Sequence, residues 1–124
     1  MKIVLVAEGL QASRKVMVNA LTRNGYKALE AADGAEALSL FDGRGIDLLI
    51  TEFKMPNLNG VELVDAIRKM TGYEYTPVLV LSTEANDAQK KLTTDPNTVW
   101  VKKPFDLERF MKLVEKSMSK KELI

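Results

Sequence analysis

Five short runs of β-branched and aliphatic residues, separated by amphipathic segments, restrict the possible folds of this chain more than any other feature. Residues 3–6, 47–51, 78–81 and 98–101 are nearly continuously apolar, and 27–31, reached through Asn24-Gly25, is a weaker fifth run. Runs of this length without polar alternation suit strands buried on both faces of a parallel sheet. Between them the apolar residues take helical patterns: Val16, Val18, Ala20 and Leu21; Ala35, Ala37, Leu38 and Phe41; Val61, Leu63, Val64 and Ile67. A last set, Leu107, Phe110, Met111 and Val114, falls at i, i+3, i+4 and i+7. The stretch 85–92 is polar with one late apolar residue, so its helix is expected to be short or loose, and Asp95-Pro96-Asn97 reads as a turn. Strand and helix alternating five times imply a doubly wound α/β sheet with right-handed crossovers, and 124 residues suit one domain, 1–124.

Composition removes several chemistries. With neither Cys nor His, the chain has no disulfide, no thiolate or imidazole ligand, no Cys nucleophile and no phosphohistidine. The 18 basic and 17 acidic residues are spread along the chain, which gives no footprint for nucleic acid or an anionic membrane. Lys116, Lys120 and Lys121 read as the polar end of the last helix, placed favourably against its dipole. The apolar opening before Glu8 is too short for a signal-peptide core or a membrane span, so a cytoplasmic location is expected.

Ligands of open α/β sheets sit beyond the carboxyl ends of the strands. The residues found there are Ala7-Glu8-Gly9, Glu52-Phe53-Lys54-Met55-Pro56, Ser82-Thr83-Glu84 and Lys103-Pro104-Phe105. Two carboxylates, a hydroxyl and a lysine therefore converge, a set suited to a divalent cation on the carboxylates and an anion on the lysine and hydroxyl. Plainer roles stand beside these: Glu8 and Glu52 as solvated strand ends, Ser82 as a helix cap, Trp100 as a packing residue and Lys54 as a solvated loop side chain.

The segment Ile46-Asp47-Leu48-Leu49-Ile50-Thr51-Glu52-Phe53-Lys54-Met55-Pro56-Asn57-Leu58-Asn59-Gly60 resembles the phosphoacceptor segment of bacterial response-regulator receivers of the chemotaxis-regulator kind. Further marks follow in order: Glu30-Ala31-Ala32-Asp33-Gly34-Ala35-Glu36-Ala37-Leu38, then Pro77-Val78-Leu79-Val80-Leu81-Ser82, then Val101-Lys102-Lys103-Pro104-Phe105. The resemblance implies a flavodoxin-like (βα)5 three-layer sandwich of strand order 2-1-3-4-5, and a two-component (phosphorelay) signalling module rather than an enzyme.

Carried over residue by residue, the family's Mg²⁺-holding acidic pair matches Ala7 and Glu8, and its phosphorylated Asp matches Glu52. Lys54 matches the residue whose backbone carbonyl helps bind the metal. Ser82 matches the hydroxyl that contacts the phosphoryl group, Lys103 the lysine of the Lys-Pro motif, with Pro104 cis in relatives, and Trp100 the aromatic switch. Ala7 removes one metal carboxylate, so Mg²⁺ is expected to bind weakly on Glu8, Glu52 and the Lys54 carbonyl. Glu52 is one methylene longer than Asp, and a displacement of about 1 Å costs on the order of 100-fold in rate. The expected protein is an atypical receiver that works through protein–protein contacts on the helix 4–strand 5–helix 5 face, with a histidine kinase among its candidate partners and Glu52 standing in for a phosphorylated residue. The alternative is a phosphoacceptor that uses Glu52 with Mg²⁺. A flavin or other small-molecule domain is a third reading, disfavoured because Ala7-Glu8-Gly9-Leu10-Gln11 lacks a Ser/Thr/Gly-rich phosphate cradle.

Overall fold

A computed structural model describes the backbone of residues 1–122 and the side chains of residues 1–119. Lys120 and Lys121, assigned above to the polar helix end, have side chains outside the described set. The elements run β1 (Ile3–Ala7), α1 (Gln11–Arg23), β2 (Lys27–Ala31), α2 (Gly34–Ser39), β3 (Leu48–Glu52), α3 (Gly60–Arg68), β4 (Val78–Ser82), α4 (Asp87–Lys90), β5 (Thr98–Lys102) and α5 (Leu107–Glu122). All strand pairs are parallel, in the order β2-β1-β3-β4-β5. This is the doubly wound (βα)5 arrangement expected from the apolar runs.

Because successive strand residues point to opposite faces, the continuous apolar runs build two cores at once. Leu5, Ala7, Leu49, Val78 and Val80 meet Ala37, Phe41, Leu63, Val64 and Ile67 on one face. Val4, Val6, Leu48, Ile50, Leu79, Leu81 and Val101 meet Met17, Leu21, Phe110, Val114 and Met118 on the other. Burying each large aliphatic or aromatic side chain contributes about 1.5–3 kcal/mol, which fixes the sheet between its helix layers.

Helices α2, α3 and α4 start on side-chain caps, whereas α1 opens after Leu10 without one. Asp33 accepts the Glu36 N–H at 2.8 Å to open α2, Asn59 and Glu62 form a reciprocal capping box at α3, and Asn86 accepts the Gln89 N–H at 2.9 Å to open α4. The polar stretch at 85–92 yields a four-residue α4, in line with a short helix there. The apolar pattern of α1 is corrected: Val16 stands half exposed, and Met17 takes the core position with Ala20 and Leu21. These three lie at i, i+3 and i+4 and form the buried stripe, with Val16 off its edge. Among the described residues no helix is long and apolar enough to cross a membrane.

Candidate functional site

The register carries three sequence-distant segments to one end of the sheet. Ala7 pairs with Thr51, Glu52 with Leu81, and Ser82 with Lys102, so Glu8, Glu52 and Lys103 emerge side by side. The Lys103 ammonium donates to Glu52 Oε1 and lies 3.7 Å from Glu8 Oε2. Glu8 is only 3% exposed. Its Oε1 accepts the Leu10 N–H at 3.1 Å, whereas its buried Oε2 has no hydrogen-bond partner among the described residues. Ala7, fully buried as the last residue of β1, brings no oxygen.

Charge in this cluster is not neutral in its consequences. Burial of Glu52, followed by the hydrogen bond a protonated Glu52 makes to Glu8, pushes its carboxyl from 4.5 up to about 7; Lys103 works in the opposite direction. Two carboxylates flanking one ammonium thus leave a negative charge in excess whenever both are ionised. Proton uptake relieves it.

Backbone approach tightens the same end of the fold. A Cβ on Gly60 would meet the Glu52 carbonyl oxygen at 2.6 Å, so only glycine lets α3 start this close to β3. Its N–H donates to the Phe53 carbonyl at 2.8 Å and closes the loop 53–60. On the other side, Arg14 of α1 donates to the Glu8 carbonyl at 2.7 Å and to Glu30 at 2.9 Å, tying the loop after β1 to β2.

Ser82 and Trp100 are placed differently from the acidic cluster. The Ser82 hydroxyl lies 2.7 Å from Gln89 Oε1 and accepts the Glu84 and Ala85 N–H groups at 3.2 and 3.3 Å. No hydrogen bond joins it to Glu52 or Lys103 among the described residues. Trp100 is half-buried against the α2–α3 core layer, its ring 5.3 Å from Phe53, and its indole N–H is buried without a partner among the described residues. Lys54 leans across to Glu84 at 3.7 Å, though both side chains are largely exposed. The Lys103-Pro104 peptide is cis.

Residues 4–115 match the response regulator receiver domain family. The chain belongs to that family. It is 37% identical over 87 residues to a chemotaxis protein CheY homolog of Campylobacter jejuni, covering 68% of this chain and 67% of that protein. It is 35% identical over 115 residues to the Regulator of RpoS of Escherichia coli, covering 91% of this chain but 34% of that protein. The chain thus spans about a third of the latter. The crystal structure of Vibrio cholerae chemotaxis protein CheY4 superposes with a TM-score of 0.88 at 32% identity, covering 94% of this chain and 98% of that one. A receiver is a regulatory module rather than an enzyme.

In this receiver Glu8, Glu52 and Lys103, three of the residues singled out from the sequence, form one cluster. Ser82 and Trp100 lie on its flank, turned toward α4 and the core. Among the described residues no group of three or more His, Cys, Asp or Glu side chains is arranged to hold a metal ion. Sequence reasoning passed over Gln89 and Arg14. Gln89 had a signal, since it sits in the one helix without an apolar stripe, where something polar had to dock it. Arg14 lay on an unremarkable polar face and had none.

Proposed function

We propose that this receiver is an interaction module whose state is set without phosphorylation, with Lys103 supplying the positive charge that its acidic pocket requires. The observation carrying this reading is the Lys103 ammonium on Glu52 with Glu8 Oε2 at 3.7 Å, next to Ala7 where relatives place a metal carboxylate. The remaining donors fit a divalent cation poorly: Glu8 spends one oxygen on the Leu10 N–H, Glu52 spends one on Lys103, and Ala7 offers none. Mg²⁺ binding is therefore weak, and Glu52 is the wrong length for the family's acceptor geometry. The partner is a signalling protein docking on α4, β5 and α5. The receiver domain of the hybrid histidine kinase CckA shares this fold at 30% identity, which makes a kinase a candidate partner. We place the activity in the cytoplasm.

The deciding experiment incubates the protein with acetyl phosphate and Mg²⁺ and weighs it. An unmodified mass, with a phosphate gained after joint Ala7→Asp and Glu52→Asp replacement, supports the reading. A phosphate gained by the unaltered chain refutes it and favours a phosphoacceptor at Glu52.

A further inference from the structure

The only buried side chain of α4 is polar. Gln89 is 8% exposed, while Leu92, the first large apolar residue after the helix, stands outside at 54%. A four-residue helix of this kind is not held by an apolar stripe, so its attachment rests on what Gln89 touches. That partner is Ser82, 4% exposed, at 2.7 Å. Gln89 Oε1 also accepts the Ala85 N–H at 2.9 Å, and Ala85 has a φ of +40°, a conformation a non-glycine residue keeps when its surroundings impose it. Gln89 Nε2 points to Glu84 Oε2 at 3.4 Å, and the other Glu84 oxygen faces Lys54 at 3.7 Å.

A serine hydroxyl has one proton to donate. While that proton lies on Gln89 Oε1, Ser82 has none for a charge at Glu52. We propose that Gln89 is a positioning residue that withholds Ser82 from the acidic pocket, so that the pocket and α4 communicate only after the Gln89 side chain lets go. The inference rests on the pocket being the regulatory site named above, but not on whether it accepts phosphate. Releasing Gln89 frees the Ser82 proton, the Ala85 backbone and the one buried anchor of α4 together.

The test uses the whole chain without Mg²⁺, phosphodonor or partner, so the fate of the phosphorylation experiment does not bear on it. The amides of Ala85 and residues 87–90 are followed by NMR shift and hydrogen exchange. Gln89→Ala and Gln89→Met, the second keeping side-chain length, are each expected to speed Ala85 exchange about tenfold, the effect of losing one buried hydrogen bond. Glu52→Gln is expected to leave these amides unmoved in the native background, to shift them once Gln89 is replaced, and to lose that effect when Ser82→Ala is added. The last step separates positioning from simple loosening of α4. Equal responses to Glu52→Gln with and without Gln89, no response in any background, or a response that survives Ser82→Ala would each overturn the proposal.

Discussion

Replacing Glu52 with Gln is expected to stabilise this protein above neutral pH and to flatten its stability profile between about pH 5 and 8. The Glu52 side chain is 13% exposed and pairs with the Lys103 ammonium, which also lies 3.7 Å from the buried Glu8. Burial and Glu8 raise its carboxyl from 4.5 to about 7. For an acid whose folded value is raised, the contribution to stability is complete below the unfolded value and is lost as pH rises through the folded one. Above pH 7 the folded protein must ionise a carboxyl that the unfolded chain ionises near 4.5. That interval, at about 1.4 kcal/mol per pH unit, amounts to roughly 3 kcal/mol as an upper bound. A glutamine keeps the shape, offers its amide N–H to Glu8 and its oxygen to Lys103, and carries no charge to desolvate. Urea unfolding with EDTA present, followed by Trp100 fluorescence at about pH 5, 6.5 and 8, measures the effect. The chain contains no histidine to titrate in the same window. The native midpoint should fall with pH, while Glu52→Gln gains roughly 1–3 kcal/mol over it at pH 8 and little at pH 5. A variant that parallels the native profile, or is less stable at pH 8, would show that Lys103 outweighs Glu8 and that Glu52 stays ionised.

Ala7→Asp should strengthen Mg²⁺ binding by roughly tenfold or more, because it restores a hard oxygen ligand beside Glu8; calorimetric titration with an unchanged affinity would contradict this. Gly60→Ala should cost a few kcal/mol, since its Cβ would meet the Glu52 carbonyl at 2.6 Å and the neighbouring backbone must give; thermal unfolding gives the answer. Arg68 grips Asp95 through two hydrogen bonds at 2.9 and 2.8 Å and reaches the Tyr73 carbonyl at 2.9 Å, with both charged side chains 14% exposed. Arg68→Ala should therefore destabilise by about 2–4 kcal/mol by leaving Asp95 without its cation, as urea unfolding at pH 7 would measure. Burial pushes the Asp95 carboxyl up, but hydrogen bonds from Arg68 and Thr98 outweigh it and hold the carboxyl below its ordinary 3.8. Its stabilisation is present above that value and is lost as pH falls through the lowered one, so Arg68→Ala should also reduce the acid sensitivity of unfolding.

The strands and the carboxyl-end cluster were legible because both follow from local rules. Three strands, β1, β3 and β4, are too apolar to face water on either side, and where they end is where Glu8, Glu52 and Ser82 must stand. The equally apolar run 98–101 is corrected, because β5 is an edge strand that leaves Val99 44% exposed. What the sequence could not reveal was direction. Nothing local says that the Ser82 hydroxyl turns to Gln89, seven residues on, rather than to Glu52 across the sheet. That choice depends on how α4 docks, and a helix without an apolar stripe leaves docking to a polar contact that periodicity does not register. Val16 shows the same limit in an apolar setting: the composition of α1 was clear, whereas its rotation was decided by Met17 meeting Phe110, Val114 and their neighbours in one core.

Direction also decides how far Glu52 can imitate a phosphorylated residue. A fixed charge shifts a conformational equilibrium only by interacting differently with its two states. With the Ser82 proton on Gln89, Glu52 has no hydroxyl through which to act on β4 and α4, and its strongest partner is Lys103. Lys103 leads through Pro104 to Phe105, whose ring stacks on Phe110 of α5 at 5.6 Å and 11°. Phe110 is buried with Val114 and Met118 in the core layer shared with α1. Glu52 thus connects to the start of α5 through Lys103 and Phe105, and to Trp100 through its neighbour Phe53, whose ring lies 5.3 Å away. On the proposed reading the two halves of the α4–β5–α5 face answer to different contacts, α5 to the lysine and α4 to the glutamine. A partner docking across both halves, as proposed, would sense the acidic pocket through α5 and, on the proposed role of Gln89, through α4 only after Gln89 has released Ser82.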